Sequence, residues 1–344
     1  MYGNRNDQAV MKSCDTLDAS DRRLVAALQV RPRAGSGEIA RALGEHERTV
    51  ARRIQRLIGA HVIRPTAELD PARYGLESVQ LRLEVRRGAM ERTACALSRR
   101  PDVRRVVSVS GRSDVLWCEV MVEQGGGLHS LMRHGLPPAL SVEKFHVATT
   151  LRTFTTVAQW RLPVLTPAEA ERLRAGSVRL AGDPGTSFDL SESDRHMAGA
   201  LVRNFRMSLT ELAKEVGFSV ATAGRRVGWL LERGVLRPRI EIEPKLVGFP
   251  LQAQICLKVS PAGLEATGTA LAACPEVRYC AATTGTRNMI LEVAAEREAD
   301  LYRFFSERLG GIPHINDFTA ELITHAYKRG SVVKDGFLAA VSPA

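Results

Sequence analysis

An internal repeat constrains the fold of this chain more than any other feature. Residues 17–65 align without a gap with residues 190–238, at an offset of 173 residues (190 − 17). The repeat continues at an offset of 174, where Pro101-Asp102-Val103 matches Pro275-Glu276-Val277 and Gly111 matches Gly285. A period of this length is far too long for a solenoid. The sequence therefore predicts two copies of one two-part module. The clearest matches in the first part are Asp21 with Asp194, Arg33 with Arg206, Glu38 with Glu211, Gly44 with Gly217, Thr49 with Thr222, Arg52-Arg53 with Arg225-Arg226, and Leu57 with Leu230.

The first part of each copy has the pattern of a helix-turn-helix. Residues 38–65 predict a helix, a turn at Gly44, a second helix and an extended segment, and Val50, Ile54 and Leu57 recur at helical spacing. The opposite face of that second helix is basic. An apolar stripe under a basic face is what a helix needs in order to lie in the major groove of DNA, although a solvated helical pair has the same pattern. The short strands predicted at residues 63–68 and 236–241 make each unit a winged helix-turn-helix, whose wing is expected to contact phosphates.

The second part of each copy predicts a ferredoxin-like β-α-β-β-α-β domain. Strands are predicted at 79–85, 103–109, 115–122 and 142–154, and helices at 89–99 and 127–134. The second copy repeats this order between residues 251 and 327. Val106, Val109, Leu116 and Val120 are too many apolar residues for one face, so the open face of each sheet is expected to pack against the sister sheet. The fold class is thus α+β, with predicted domains at 15–70, 76–160, 188–243 and 249–330 and a linker with a short helix at 161–187.

Composition favours a polyanionic partner and gives no sign of a membrane protein. The chain of 344 residues has a formal net charge of +10. No segment approaches the length of a membrane span, and the first residues lack the apolar region of a signal peptide. Six cysteines form no C-x-x-C pair, which is typical of buried thiols in a reducing compartment. We therefore expect a cytoplasmic protein with no membrane partner.

With both parts in place, the sequence resembles the leucine-responsive/asparagine (Lrp/AsnC) regulator family, in a tandem form. The resemblance covers about residues 15–160 and 188–330. It implies RAM-type effector and dimerisation domains, double-stranded DNA as the partner, and an intramolecular pseudo-dimer, with a higher homo-oligomer left open. The motif residues are Leu17-x-x-x-Asp21, Arg33, Glu38-Ile-Ala40, Leu43-Gly44, Thr49-Val50-x-Arg52-Arg53-Ile54-x-Arg56-Leu57, Val62-Ile63 and Gly111-x-x-Asp114.

Eleven residues around the two second helices are predicted to contact DNA. Arg48 and Arg52 are expected to touch bases or phosphates, and Arg53, Arg56 and Arg226 phosphates. Val220, Ala221, Ala223 and Arg225 are expected to take the outer positions of the second helix. The full set is Glu47, Arg48, Thr49, Arg52, Arg53, Arg56, Ser219, Val220, Thr222, Arg225 and Arg226.

The resemblance also implies an effector site, often for an amino acid, at the corner between the second and third strands of each domain. Asp114 could accept a hydrogen bond from an ammonium group, and Arg112 or Arg287 could pair with a carboxylate. The alternative is that these corners are only tight turns. The matching positions are Gly111, Arg112, Ser113 and Asp114, and Gly285, Thr286, Arg287 and Asn288.

Two other functions are weighed against the regulator. Tandem chains of related architecture include sirohaem decarboxylases, enzymes that use histidine and arginine around a tetrapyrrole. Here the eight histidines are scattered, and hydrolase, zinc-protease and Walker motifs are absent from the sequence. The sequence therefore predicts no enzyme, no cofactor and no metal. A third function is an oligomerisation or metabolite-sensing module whose helix-turn-helix no longer binds DNA.

Overall fold

The computed structural model describes residues 16–134, 136, 140–175, 188–330, 332–335 and 338–341. Its fold is α+β. Three helices and a strand are followed by a β-α-β-β-α-β unit, and this order is met once between residues 19 and 155 and again between residues 192 and 329. We call the two helical units head 1 and head 2.

Head 1 consists of α1 (Ala19–Val30), α2 (Ser36–Leu43), α3 (Glu47–Gly59) and β1 (Ile63–Leu69). Gly44 ends α2 with a φ of +71°, a left-handed conformation that glycine adopts without strain. His46 precedes α3 and gives no side-chain cap. The predicted stripe of Val50, Ile54 and Leu57 is buried, which confirms the helical pattern.

Head 2 consists of α7 (Glu192–Arg203), α8 (Leu209–Val216), α9 (Val220–Glu232) and β6 (Leu236–Ile242). Its helices begin at side-chain caps. Ser208 and Glu211 form the predicted capping box, and the Ser219 hydroxyl accepts a hydrogen bond from the Thr222 amide at 3.1 Å. Each cap satisfies an amide that the helix itself leaves unpaired, so α8 and α9 start at defined residues.

The strands that follow α3 and α9 are not free wings, and here the sequence-based expectation was wrong. β1 and β6 pair with each other as an antiparallel two-stranded sheet. The middle of both strands is buried, so neither strand is placed to reach phosphates. Thr66 pairs with Arg239, which is its own counterpart 173 residues later (239 − 66). A register centred on matching residues gives the two heads an approximate twofold relation.

The heads also exchange core residues across this strand pair. Ile240 and Ile242 of β6 pack in the core of head 1, and Ala67 of β1 packs in the core of head 2. Two matched arginines reinforce the junction, since Arg33 donates to the Met207 carbonyl and Arg206 donates to the Pro32 carbonyl at 2.7 Å. The heads are therefore fixed to each other and are not joined by a loose tether.

Each β-α-β-β-α-β unit contains the predicted elements, with those of the first unit found to within three residues. The elements of both units are β2 (Leu76–Val85), α4 (Met90–Ser98), β3 (Val103–Val109), β4 (Val115–Glu123), α5 (Gly127–His134), β5 (Val142–Thr155), β7 (Leu251–Val259), α10 (Leu264–Ala272), β8 (Val277–Thr283), β9 (Met289–Ala295), α11 (Glu298–Arg303) with a π-helical turn Phe304–Leu309, and β10 (Ile315–Arg329). The first unit has the ferredoxin-like strand order β3-β4-β2-β5, and the second has the matching order β8-β9-β7-β10.

Two long strands join the two sheets into one closed circuit. The first half of β5 pairs with β2 and its second half with β8. In the same way, β10 pairs first with β7 and then with β3. Because each long strand crosses from one sheet to the other, the two sheet faces that helices do not cover lie opposite each other.

The apolar residues of these strands are distributed differently from the prediction. Val106, Leu116 and Val120 all lie in the helix-covered core of the first unit, and Val109 alone of the four faces the other sheet. The space between the sheets holds both charged and apolar groups. Arg105 and Glu292 meet there at 3.0 Å, while Trp117 of the first sheet packs against Cys256, Ala281 and Ile290 of the second. The open faces therefore pack against each other as expected, but through buried charges as well as apolar residues.

The predicted linker is partly packed. α6 (Pro167–Arg174) begins at the Thr166–Glu169 capping box and lies on α1 and α2, with Leu173 in the core of head 1. The Gly/Pro-rich stretch 176–185 lies outside the described residues. Beyond β10, the short strands β11 (Val332–Asp335) and β12 (Leu338–Val341), which the sequence did not predict, extend the sheet.

Gly268 of α10 marks a close approach between helix and sheet. A Cβ atom at this position would lie 2.3 Å from ring carbons of Phe154 on β5. Because Phe154 is partly buried in the core of the second unit, we expect Gly268→Ala to lower the free energy of unfolding by about 1–3 kcal/mol through overpacking. Urea unfolding measures this change, and Gly228→Ala, where nothing lies within 4 Å of the added atom, is the control. Equal stabilities of the two variants would contradict the contact.

Candidate functional site

The outer faces of α3 and α9 carry the arginines that are available to a partner. Arg48, Arg52 and Arg225 are exposed, and none of the three has a hydrogen bond or ion pair to another described residue. Arg52 and Arg225 occupy matched positions of the two helices. Val220, at the start of α9, is an exposed apolar side chain. These side chains could reach bases or phosphates without breaking an existing contact.

In head 1, two of the predicted phosphate contacts are engaged by a buried acid. Arg56 donates to the carboxylate of Asp21, and Arg53 lies 3.9 Å from it and 3.2 Å from Glu45. Asp21 is buried at the start of α1. These ion pairs hold α3 against α1, so the structure gives Arg53 and Arg56 a positioning role.

Head 2 repeats this arrangement with a closer pair. Arg226 of α9 donates twice to Asp194, with Nε at 2.8 Å, and its guanidinium lies over the ring of Trp229. Burial alone would raise the pKa of Asp194, but the hydrogen bonds from Arg226 and Ser191 bring it below its ordinary value. The Asp194 carboxylate is therefore ionised and fixes the orientation of α9.

The remaining predicted DNA contacts lie at the helix starts. Glu47 accepts a hydrogen bond from the Ser36 hydroxyl at 3.1 Å, and Thr49 is half-buried. Ser219 and Thr222 form the cap of α9. Ala223 does not take an outer position as expected, because it lies fully buried in the core of head 2.

The predicted effector corners are turns whose main polar groups are already paired. Gly111 and Gly285 have φ angles of +88° and +106°. Arg112 donates twice to Asp114, at 2.9 and 3.0 Å, and Arg287 contacts Asp317 at 2.7 Å.

The neutral member of the second corner is also engaged. The side-chain amide of Asn288 exchanges two hydrogen bonds of 2.9 Å with the backbone of Val259. The exposed Ser113 and Thr286 complete the two corners. Binding an amino acid at either corner would therefore require a ligand to displace internal partners.

A cavity of about 800 Å³ lies between the two sheets and beneath the β1–β6 pair. No sequence pattern indicated this cavity, because its lining comes from strands that are far apart in the chain. Seven arginines and five carboxylates line it, so cations are in excess. The arginines are Arg73, Arg104, Arg105, Arg152, Arg237, Arg239 and Arg329, and the acids are Glu68, Asp70, Glu77, Glu119 and Glu292.

Three of these acids are each held by two arginines. Glu68 contacts Arg239 and lies 3.9 Å from Arg104, and Asp70 contacts Arg237 at 2.6 Å and lies 3.9 Å from Arg73. Glu292 lies 3.0 Å from Arg105 and 2.5 Å from Arg278. Burial would raise the pKa of Glu68, but the charges of Arg239 and Arg104 bring it below its ordinary value. The Glu68 carboxylate is therefore ionised, and together with Asp70 it positions the arginines around the cavity.

The buried carboxylate of Glu292 is expected to make the stability of the protein depend on pH. Burial opposes its ionisation, but the charges of Arg105 and Arg278 outweigh burial and lower its pKa to about 2. Between its ordinary pKa near 4.5 and pH 2, the unfolded chain binds more protons at this site than the folded chain, so stability falls as the pH falls. We expect Glu292 to account for a loss of about 3 kcal/mol over this window.

Urea unfolding of the wild type and of Glu292→Gln, at pH 5 and pH 3, measures this dependence. Glu292→Gln should be less stable at pH 5 but should lose less stability on going to pH 3. Glu307→Gln, at an exposed position of the last helix, should keep the wild-type dependence. Identical pH dependence in the wild type and Glu292→Gln would contradict the assignment.

Few side chains in the described part of the chain are suited to metal binding or to histidine-based catalysis. Among the described residues, no cluster of histidine, cysteine, aspartate or glutamate could hold a metal ion, and none of the residues that line the cavity is a histidine. No helix within the described ranges is long and apolar enough to span a membrane.

Comparisons with known proteins identify both parts of the module. The AsnC-type helix-turn-helix domain model matches residues 17–58, and the Lrp/AsnC ligand-binding domain model matches residues 252–333. An uncharacterised HTH-type transcriptional regulator of Pyrococcus horikoshii is 28% identical over 143 residues, which cover 41% of this chain and 90% of that protein. The HTH-type transcriptional regulator Ptr1 of Methanocaldococcus jannaschii is 27% identical over 143 residues, which cover 41% and 97%.

Solved structures add a likeness over nearly the whole chain. The siroheme decarboxylase NirDL, solved in co-complex with an iron-uroporphyrin III analogue, matches with a TM-score of 0.58 and 17% identity, covering 91% of this chain and 93% of that one. At this identity the likeness concerns the fold alone. It nevertheless contradicts the prediction that the chain is not an enzyme, because the full-length fold is one that an enzyme uses. That prediction rested on missing motifs, and the absence of those motifs does not exclude an enzyme.

Proposed function

Since the chain belongs to the Lrp/AsnC family of HTH-type transcriptional regulators, we propose that it is a sequence-specific DNA-binding regulator in which one polypeptide supplies both heads of a pseudo-dimer. The observation that carries the proposal is the β1–β6 register, centred on Thr66 and Arg239. An approximate twofold axis at this pair relates α3 to α9, as the heads of a symmetric dimer are related. Double-stranded DNA in the cytoplasm is then the proposed partner.

The division of the chain follows from this proposal. Residues 15–70 and 188–243 are the two DNA-binding units, and residues 76–160 and 249–330 are the two effector and dimerisation domains. Residues 161–174 act as a brace on head 1, since Arg172 donates to the Ala42 carbonyl at 2.8 Å and Arg23 contacts Glu169.

In the proposed complex, Arg48, Arg52 and Arg225 contact DNA, and the two helices enter successive major grooves on one side of the duplex. Arg53, Arg56 and Arg226 position those helices through Asp21 and Asp194. The matched but unequal surfaces, Arg48 in α3 against Ala221 in α9, predict an operator that is an imperfect inverted repeat.

Selection of binding sites from random DNA tests this function. Because Arg33 and Arg206 fix the heads to each other, the selected half-sites should lie at one spacing of about 10 base pairs. Inserting either five or ten base pairs between them should lower the affinity at least tenfold, because heads held at one separation cannot follow half-sites that move apart. Selection of a single half-site whose binding ignores spacing would overturn the two-headed proposal.

A tetrapyrrole decarboxylase is the second candidate function. It is favoured by the whole-chain fold likeness to NirDL together with the arginine-lined cavity. Incubation of the purified protein with sirohaem, followed by mass spectrometry of the porphyrin, tests it. Loss of carboxyl groups that depends on the protein would establish this activity, and unchanged sirohaem would leave the regulator as the sole proposal.

A further inference from the structure

We infer that the cavity between the two sheets is a binding site for a multivalent small anion, one that carries several carboxylates or phosphates. We also infer that this anion is the effector, and that part of the inference rests on the proposed regulatory function. The binding of the anion to the cavity does not depend on that function. The site differs from the two sheet corners that the family resemblance implies.

Buried arginine donors without partners point to an anionic ligand. Arg329 is 6% exposed and donates through one nitrogen to Gln252, but its Nε and Nη1 atoms have no hydrogen-bond partner. It also makes no ion pair with a carboxylate among the described residues. Nε of Arg105 and Nε of Arg239 are likewise buried without partners. A buried donor left unsatisfied is costly, and an oxyanion would remove that cost.

The carboxylates of the cavity do not supply these missing partners. Glu68, Asp70 and Glu292 are each shared between two arginines, and Glu119 accepts from Ser78 at 2.6 Å. Gln254, which is 2% exposed, leaves its side-chain oxygen without a donor. A ligand with several oxyanions and at least one hydroxyl or amino donor would satisfy both kinds of group.

The size and the opening of the cavity fit a molecule larger than an amino acid. A volume of about 800 Å³ lies in the range of sites for drug-sized ligands. Leu151, Arg152 and Thr153 of β5 line the cavity and are exposed, so they mark its mouth. Phe154 and Ile290 add an apolar wall, against which the body of such a ligand could pack.

The position of the cavity allows a bound ligand to affect the heads. On the side of the heads the cavity is lined by Glu68 of β1, by Asp70 directly after β1, and by Arg237 and Arg239 of β6. These four residues form ion pairs across the strand junction that joins the heads. An anion that competes for Arg237 or Arg239 would change these pairs, and with them the relative position of α3 and α9.

Isothermal titration calorimetry of the full chain without DNA tests the site. The probes are citrate, metal-free ATP and uroporphyrin III, which represent a tricarboxylate, a polyphosphate and a large polycarboxylate. At least one should bind with one site per chain, and Arg329→Gln should weaken that binding at least tenfold because it removes a charge-assisted donor. Arg87→Gln, an exposed position in the turn after β2, should bind as the wild type does.

The pattern of binding identifies the class of ligand. Binding of citrate or uroporphyrin III but not ATP assigns a carboxylate ligand, and the reverse assigns a phosphate ligand. Arg329→Lys, which keeps the charge, serves if Arg329→Gln fails to fold, and should still weaken binding. Absence of binding by all three probes, or wild-type affinity in a folded Arg329 variant, would overturn the inference. Because DNA is absent, neither result depends on whether the heads bind DNA.

Discussion

Replacing Arg52 and Arg225 together by alanine is expected to remove most of the specific affinity for DNA. These two side chains occupy matched positions on α3 and α9, are exposed, and have no partner within the described part of the chain. A bidentate contact from arginine to a base is worth about 1–3 kcal/mol. The double variant should therefore lose about 2–6 kcal/mol of specific binding free energy, while its stability stays close to that of the wild type.

Fluorescence anisotropy with a selected operator and a scrambled duplex, at two salt concentrations, measures this loss. Each single variant should relax sequence preference in one half-site only. Arg87→Ala, in the turn after β2, keeps the total charge change of a single variant but should bind as the wild type does. An equal loss on operator and scrambled DNA would assign Arg52 and Arg225 to phosphates, with a salt slope reduced by about one unit per arginine. An unchanged affinity would contradict the assignment of this surface to DNA.

The elements of this fold were predictable because their signals are local. Capping residues such as Ser208 and Ser219, the turn glycine Gly44, and the apolar stripe of α3 each act within one or two helical turns. The period of alternation likewise placed the strands. These signals do not depend on what a segment packs against, so the sequence alone located most elements to within a few residues.

The errors arose where distant segments meet. The segment after α3 has the composition of a wing, but its pairing with β6 depends on a residue 173 positions away (239 − 66). The ion pairs of Arg53, Arg56 and Arg226 were missed for the same reason, since the sequence marks these residues as basic and repeated but cannot reveal that Asp21 and Asp194 lie beside them. Their phosphate contacts stay a prediction. A repeated acid opposite a repeated base in a neighbouring helix was the one available signal of these pairs.

The charged groups between the sheets were the least predictable part of the molecule. Arg105, Gln254 and Glu292 lie in three different strands, β3, β7 and β9, in which most residues are apolar. In one isolated sheet they would face water, and no local pattern distinguishes that exposure from burial against a second sheet. Their convergence follows only from the crossing of β5 and β10. Both the effector inference and the decarboxylase alternative depend on this convergence, whereas the proposed DNA contacts lie on the heads.

Replacing Asp194 by alanine is expected to lower the free energy of unfolding by about 3 kcal/mol, the largest stability effect we predict for a single residue of head 2. Asp194 is 1% exposed, accepts two hydrogen bonds from Arg226 and one from the Ser191 amide at 3.2 Å, and thus holds both α9 and the start of α7. Its loss leaves a guanidinium without its partner at a partly buried position, and also removes a helix cap.

The pairing can be separated from the cap by a double-mutant cycle. Arg226→Met alone leaves the buried Asp194 carboxylate unpaired and should also lower the free energy of unfolding. The double variant Asp194→Ala with Arg226→Met should lower it by clearly less than the sum of the two single changes. Glu192→Ala, an exposed acid in the same first turn of α7, controls for the loss of a charge near the helix start. Urea unfolding measures each step. Additive costs would show that Asp194 acts on α7 alone, and that α9, with Arg225 on its outer face, is oriented by other contacts.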